Sequence, residues 1–301
     1  MTTPFDIRKR RLMLRIILWA IAAVYTLVLP DVVLIYDAVV KHFSSKIAGK
    51  VPLALIILLG IVYLISSLAM KKGMRSLALL IPCTIIVSAV VTLVPYPNKH
   101  IHIPEYILMA WVIFEALSVD YEGNGILLLV FICSGLLGVV DELFQGIHPQ
   151  RFYGWQDMIM NAAASTIGIF TIAGLGKVSA GDWAWAATLK QFKKTLAITF
   201  CAAAGAVLMC AYLFDVQAHL KFWGVYPGWL LGFNALFVIA GSVAVSQIGL
   251  FYTPRQSAGD QQFNPVGRAV TARLWILCPL VILIFMHNLA LLIAAFGLPF
   301  R

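Results

Sequence analysis

Charged residues are scarce in this sequence, and their scarcity already limits the class of protein. Only 12% of the 301 residues are charged, whereas 61% are hydrophobic and the mean hydropathy is +0.92. An ordinary globular chain carries about a quarter charged residues, and a chain of 33.1 kDa cannot enclose a soluble core of this composition. The composition also excludes disorder and coiled coils, and it predicts an integral membrane protein.

The chain also lacks the signatures of disulfide, metal–thiolate and nucleotide chemistry. Its five cysteines lie in apolar runs, with no CxxC pair and no histidine at a zinc-type spacing. It has no P-loop, no glycine-rich nucleotide motif and no recognisable Ser-His-Asp order, so nothing predicts ATP-driven transport. The formal charge of +9 would point to nucleic acid in a soluble protein, but basic residues beside apolar runs set membrane topology instead. We therefore expect no nucleic-acid partner.

What the sequence does contain is a series of long apolar runs. A spanning helix needs about 20 mostly apolar residues, and nine runs qualify, which predicts an all-α fold, a polytopic integral membrane helical bundle. They lie near residues 12–30, 51–70, 76–95, 104–119, 125–140, 157–175, 195–214, 229–250 and 274–297. Residues 31–50 are amphipathic and are expected to form an interfacial helix.

The basic residues are distributed unevenly between the two sides of these spans. With a cytoplasmic N-terminus, 15 of the 22 lysines and arginines fall in cytoplasmic segments and seven fall outside. Nine spans then place the C-terminus on the extracytoplasmic side. The first run follows a basic stretch but lacks a small-residue cleavage site before Pro30, which indicates an uncleaved anchor.

Ionisable residues gather in three segments that border spans four, five and six. The first segment is 98–106, where Pro104 suits the first turn of a helix and Glu105 meets the positive end of the helix dipole. The second is 138–145, where helical spacing puts Asp141 and Gln145 on one face. The third runs from His148 to the start of span six. The residues that share one stripe of that span are Asp157, Asn161, Ser165 and Gly168.

The predicted topology brings all three segments to the outer side of the membrane. Small residues such as Gly138 and Gly168 let neighbouring helices approach closely in lipid. Two cations, Lys99 and Arg151, then face four carboxylates, which leaves a balance of −2 if the histidines are neutral. Ionisable residues inside a span cost roughly 2.5–3.5 kcal/mol each at mid-bilayer, so such a cluster predicts a functional site that holds a proton, a divalent cation or a cationic substrate.

The order of these residues resembles the VanZ-like family. The motifs that carry the resemblance are Lys99-x-x-His102-x-x-Glu105-Tyr106, Gly138-x-x-Asp141-Glu142-x-x-Gln145, Pro149-x-Arg151, Asp157-x-x-x-Asn161 and Gly168. The chain has Asn98 where the family often has Asp, and Gln150 where it often has Gly. The resemblance covers residues 76–176 as a VanZ-like four-helix core. It leaves a two-span region with an interfacial helix at 1–75 and a three-span region at 177–301.

The resemblance implies a bacterial cytoplasmic (inner) membrane protein of the cell envelope, related to a protein that gives teicoplanin resistance. On this interpretation an outward pocket binds or modifies a lipid-linked envelope molecule or a membrane lipid, with a divalent cation as a possible cofactor. The catalytic candidates are His102, Glu105, Asp141 and Glu142. The candidates for substrate binding are Lys99, Tyr106, Gln145, Arg151 and Asn161. The candidate metal ligands are Asp141, Glu142 and Asp157.

Two other functions stay open at this point. The same carboxylates and His102 would serve a proton-coupled transporter or flippase, although only His287 and Asn288 lie midway along a span, where such transporters tend to bind. We interpret those two residues as satisfied by hydrogen bonds between helices. The third alternative is a structural partner in an envelope complex. Whether the chain is an enzyme, its substrate and its oligomeric state are not determined by the sequence.

Overall fold

A computed structural model describes residues 4–177, 181–219, 225–250 and 265–301 of the chain. These ranges contain helices and no strand. Nine helical segments within them are long and apolar enough to cross a membrane, from Arg10–His42 to Gly267–Ala295. The predicted fold class is therefore confirmed, and the chain is a multi-pass all-α membrane protein.

The described residues form eleven α-helices. They are α1 (Pro4–Val28), α2 (Val32–His42), α3 (Ser45–Ala48), α4 (Val51–Ala69), α5 (Gly73–Leu93), α6 (His102–Ser118), α7 (Ile126–Ile147), α8 (Trp155–Gly174), α9 (Lys193–Ala218), α10 (Gly228–Leu250) and α11 (Pro265–Ala295). Short 3₁₀ helices cover Leu29–Asp31, Pro97–Ile101 and Ala184–Phe192.

The segment 31–50, expected as one interfacial helix, consists of two helices, α2 and α3. The break occurs where the Ser44 hydroxyl oxygen accepts a hydrogen bond of 3.2 Å from the Ile47 backbone N–H. A serine that caps a helix in this way starts a new helix instead of continuing the previous one. Its position at the membrane interface stays a prediction.

The helices group into two compact units, which divide the chain differently from the three regions expected from the sequence. The first unit comprises 1–119, 130–141 and 154–179, and the second comprises 120–129, 142–153 and 180–301. The division passes through α7, whose middle belongs to the first unit and whose ends belong to the second. The three-part division stays a prediction.

In the first unit, α6 is the central element. It packs against α1, α4 and α8, and α8 also packs against α5. Gly168 of α8 lies so close to α6 that an added β-carbon would stand 2.7 Å from the Ala110 methyl group. The Lys99–Asp157 ion pair joins the starts of the same two helices. Because α6 and α8 are in contact both at their starts and at Gly168, they run parallel to each other. The starts of α6 and α8 therefore meet at one end of the unit.

In the second unit, α9, α10 and α11 pack against one another. Close approaches again occur at glycines, because β-carbons added at Gly205 and Gly241 would overlap Phe237 and Ile284 respectively. The last residues of the described chain are bound to the loop after α7. The Tyr153 N–H donates to the Arg301 carbonyl and the Arg301 N–H donates to the Gly146 carbonyl, both at 2.8 Å.

Candidate functional site

The first part of the candidate site lies where a 3₁₀ helix, Pro97–Ile101, leads into α6. The 3₁₀ helix carries Lys99, and the first turn of α6 carries His102 and Glu105, both buried. Pro104 also occupies this turn, where its missing N–H leaves no hydrogen bond unmade. The local sequence thus places a cation, an imidazole and a carboxylate within seven residues.

Lys99 is paired with Asp157 in the first turn of α8. Its Nζ lies 2.9 Å from Oδ1 and 3.0 Å from Oδ2 of the carboxylate. The Asp157 side chain is 5% exposed and that of Lys99 is 29% exposed. Asp157 also lies in the first turn of α8, so the Lys99–Asp157 pair stands at the positive end of that helix.

His102 and Glu105 face each other on α6, one turn apart. The His102 Nδ1 lies 3.5 Å from Glu105 Oε2. The backbone carbonyl of Glu105 accepts a hydrogen bond of 3.0 Å from the Tyr25 hydroxyl of α1. The sequence interpretation did not include Tyr25. In the sequence, the one feature that could have indicated a role for Tyr25 is its polar hydroxyl within the mainly apolar first span.

Asp141, in the C-terminal third of α7, contacts α6 through Tyr106. The Tyr106 hydroxyl donates to Asp141 Oδ2 at 3.2 Å, and both residues are fully buried. The approach requires Gly138, because an added β-carbon there would lie 3.1 Å from the Asn161 β-carbon and 3.3 Å from the Tyr106 ring. Gly138 therefore lets α7, the fifth span, approach α8, the sixth span, as expected. Gly168 lies instead at the contact of α8 with α6.

Asn161 is the most unusual side chain of the site. It is 0% exposed, and neither its Oδ1 nor its Nδ2 has a hydrogen-bond partner among the described residues. About nine-tenths or more of buried polar groups in proteins are hydrogen-bonded, and leaving one unmade costs about 1–3 kcal/mol. The amide nitrogen and the Tyr106 ring both lie within 3.4 Å of the position that a β-carbon at Gly138 would take, and the Tyr106 hydroxyl binds Asp141. The two polar atoms of Asn161 are therefore positioned to bind a ligand in this cluster.

Counted as formal charges, the first unit alone has an excess of negative charge here. One lysine faces three carboxylates, Glu105, Asp141 and Asp157, which leaves −2 when His102 is neutral. One ligand atom each of His102 and Asp141 lie within 4.8 Å of each other, a separation that one bound cation spans. Imidazole nitrogen, carboxylate oxygen and amide oxygen are all common metal ligands.

The structure therefore sorts the predicted residues of the first unit into two groups. Lys99 and Asp157 form the ion pair, so both oxygens of this expected metal ligand already contact an ammonium group. His102, which was expected to act in acid–base chemistry, stands with Asp141.

Three of the predicted residues belong to the second unit and form a hydrogen-bonded chain of their own. The Gln145 amide donates to Glu142 Oε1 at 3.1 Å, and the Arg151 Nε donates to Gln145 Oε1 at 3.0 Å. Glu142 and Gln145 are buried. Gln145 thus connects an acid and a guanidinium, and its predicted part in substrate binding stays a prediction.

Tyr153, two residues after Arg151, was not a predicted site residue. Its hydroxyl donates to the Cys210 carbonyl at 3.3 Å, and its ring packs 5.0 Å from that of Phe300. Burial raises the pKa of the Tyr153 hydroxyl well above its usual value, and the charge of Glu142 adds to the rise. Tyr153 therefore remains a neutral hydrogen-bond donor that anchors this loop.

No family model, curated protein or solved structure matches the chain. The VanZ-like resemblance thus stays a prediction that rests on the quoted motifs.

Proposed function

We propose that the chain is a VanZ-like protein of the bacterial cell envelope whose buried polar site binds a divalent cation and, together with Lys99, the phosphate of a lipid-linked envelope molecule. The observation that carries the proposal is the buried Asn161 amide, which has no hydrogen bond among the described residues and stands in a cluster with a charge of −2. A bound cation would satisfy the amide oxygen and reduce the excess charge at the same time.

The choice of a cation follows from the donor atoms. Oxygen ligands with imidazole suit hard and borderline divalent ions, and Asp141, His102 and Asn161 supply these atoms in the first unit. Glu142, the next residue of α7 and part of the second unit, is a further carboxylate in the sequence. A cation held this way supplies the positive charge that a phosphate needs beside three carboxylates.

Lys99 is suited to the anionic part of the substrate. Asp157 fixes the position of its ammonium group, and the 29% exposure of its side chain keeps it accessible. An ammonium group acts on phosphate as a point charge without a fixed angular demand. If the protein modifies its substrate, His102 and Glu105 are the adjacent groups that can transfer a proton.

The orientation belongs to the same proposal. The protein would lie in the cytoplasmic membrane with its N-terminus inside and its C-terminus outside, so that the loop holding Gln150 faces out. A cysteine at exposed Gln150 should react with an impermeant thiol reagent on intact spheroplasts, whereas a cysteine at Lys190 should react only after lysis. The reverse pattern would contradict the orientation.

Substitution at Asp141 tests the function. We expect Asp141→Asn to abolish the contribution of the protein to teicoplanin resistance, and to reduce the lipid-linked phosphate that co-purifies with it, because the amide removes a ligand charge without changing shape. Asp215→Asn, at an exposed carboxylate of α9, is the matched control. Full resistance and unchanged bound lipid in Asp141→Asn, at normal membrane abundance, would refute the proposal.

One observation in the second unit favours a proton-coupled transporter as a second candidate. His287, which is fully buried in α11, has Nδ1 2.8 Å from Asn234 Oδ1 and Nε2 3.0 Å from the Ala202 carbonyl, so it is bonded between helices as expected. Asn288, in contrast to the expectation, is exposed. A neutral imidazole has one N–H, so both contacts are hydrogen bonds at once only when the ring takes up a second proton.

Proton flux separates the two candidates. A transporter should acidify or alkalinise the lumen of proteoliposomes when its substrate is added, and His287→Gln should abolish that flux. Flux that is absent in the wild type, together with resistance that survives His287→Gln, would leave the cation site as the function.

A further inference from the structure

The first unit contains a second feature, a groove that runs beside α4. Its volume is about 510 Å³, and α4, α5, α6 and α8 all contribute to its walls. The wall residues are mainly apolar, and several are buried, among them Cys83, Ile107 and Ile167. Ligand pockets in proteins measure about 300–1,000 Å³, so the groove has the size of a binding site and not of a packing defect.

The groove is elongated along the helices. Its α4 side extends from Ile56 to Met70, and at 1.5 Å per residue this stretch rises about 21 Å. One leaflet of a bilayer has a hydrocarbon depth of about 15 Å, half of the full core. The length and the apolar walls therefore suit a single acyl chain that lies along the helices.

One end of the groove is cationic. Lys177 lines it, with Nζ paired with Glu115 and 4.7 Å from the centroid of the Trp111 ring. The Lys72 ammonium stands against Gly176, where an added β-carbon would lie 3.0 Å away. The Lys72 ammonium group has no hydrogen bond or ion pair among the described residues, although the negative end of α8 is favourable for it. Two ammonium groups are thus brought to the same end.

The charge at this end is unbalanced. The turn between α4 and α5, the first turn of α5 and the residue Lys177 after α8 provide four cations, whereas Glu115 pairs with one of them. The four cations are Lys71, Lys72, Arg75 and Lys177. Two other polar groups of the groove are bonded within the protein, since the Tyr63 hydroxyl is bonded to Ser76 and the Trp111 indole to Thr171. The excess of positive charge at this end therefore favours an anion bound next to the apolar groove.

We propose that this groove binds one acyl chain of an anionic phospholipid from the surrounding bilayer, with the lipid phosphate held between Lys72 and Lys177. This site goes beyond the function proposed above, because it lies toward the C-terminal ends of α6 and α8, whereas the carboxylate cluster lies at their N-terminal starts. On the predicted topology the cationic end faces the cytoplasmic leaflet, where anionic lipids attract basic side chains.

Lipid titration of purified, delipidated full-length protein in a neutral detergent tests the site. Thermal unfolding would be followed with phosphatidylglycerol or phosphatidylcholine of identical acyl chains, and the apparent Kd obtained from the shift in Tm. A lysine near an anionic lipid contributes about 1 kcal/mol, which is about fivefold in Kd. We expect Lys72→Gln and Lys177→Gln each to weaken phosphatidylglycerol binding about fivefold, and both together about 25-fold, with little change for phosphatidylcholine. Lys50→Gln, at the other end of α4, is the matched control.

A groove-filling substitution tests the acyl-chain part. Gly60 lines the groove and has open space where a β-carbon would stand, so Gly60→Leu fills the groove without striking the protein. Gly60→Leu should weaken the binding of both lipids. Gly135→Leu, which also faces open space, should weaken the binding of neither lipid. Equal affinity for the two lipids, equal losses in Lys50→Gln, or full binding by a folded Gly60→Leu would overturn the proposal. The lysine variants decide the question even if Gly60→Leu does not fold.

Discussion

The Lys99–Asp157 pair gives the sharpest energetic prediction, because its two partners differ in exposure. Lys99→Met leaves a carboxylate that is 5% exposed without its ammonium partner, whereas Asp157→Asn leaves an ammonium group whose side chain is 29% exposed. Breaking a buried pair costs about 3–5 kcal/mol. The positive end of α8 stabilises the unpaired Asp157 carboxylate by about 1 kcal/mol and so reduces this cost. We therefore expect Lys99→Met to lower the free energy of unfolding by about 3 kcal/mol.

The reverse substitution should be milder. After Asp157→Asn the ammonium group can turn toward water or headgroups, so the expected cost is about 1 kcal/mol. The double variant removes both charges and should also cost about 1 kcal/mol. The coupling energy of the pair is then about 3 kcal/mol, measured as a double-mutant cycle by reversible unfolding in mixed detergent micelles.

The chain offers a matched control for this cycle. Lys177 and Glu115 form an ion pair between the same two helical regions, but their side chains are 34% and 41% exposed. An exposed pair of this kind contributes about 0–1 kcal/mol, so Lys177→Met should have little effect. Equal costs for Lys99→Met and Asp157→Asn, or a coupling no larger than that of the control pair, would refute the reasoning.

Three further predictions concern the second unit. His287→Leu should lower the free energy of unfolding by about 1–3 kcal/mol, measured in the same micelles, because at least one buried acceptor, the Asn234 Oδ1 or the Ala202 carbonyl, loses its partner; an unchanged stability would contradict it. Gly146→Ala should destabilise by about 1–3 kcal/mol, because its β-carbon would stand 2.4 Å from the Phe300 ring, and Phe300→Leu should restore most of the loss. Burial raises the pKa of Tyr121 to about 12, so ultraviolet titrations of the wild type and of Tyr121→Phe should differ by one tyrosine that ionises near pH 12, and stability should fall between about pH 10 and 12 because the unfolded chain releases this proton first. Tyr121→Phe should remove that part of the fall.

Much of the first unit was predictable because helix period and membrane side are both visible in a sequence. The starts of spans four and six were expected on one side, and Lys99 and Asp157, which are 58 positions apart, indeed meet there. Gly138 was expected at a close approach of two spans, and it faces Asn161. These features follow from composition and spacing alone.

Other features depend on packing that spacing does not encode. Side-chain geometry determines which carboxylate pairs with Lys99. From the sequence, Asp157 was predicted to be a metal ligand instead. Tyr25 reaches the Glu105 carbonyl because α1 packs on α6, and no local pattern in span one records that contact. The break between α2 and α3 was missed because a serine cap is a single hydrogen bond within an otherwise continuous amphipathic stretch.

The proposed cation site of Asp141, His102 and Asn161 can be tested by thermal unfolding of the purified protein in EDTA and then in magnesium, calcium or manganese. We expect at least one of these ions to raise Tm, and we expect Asp141→Asn to remove the rise while Asp215→Asn keeps it. No shift with any of the three ions in the folded wild-type protein, or an equal shift in Asp141→Asn, would show that these residues do not hold a cation.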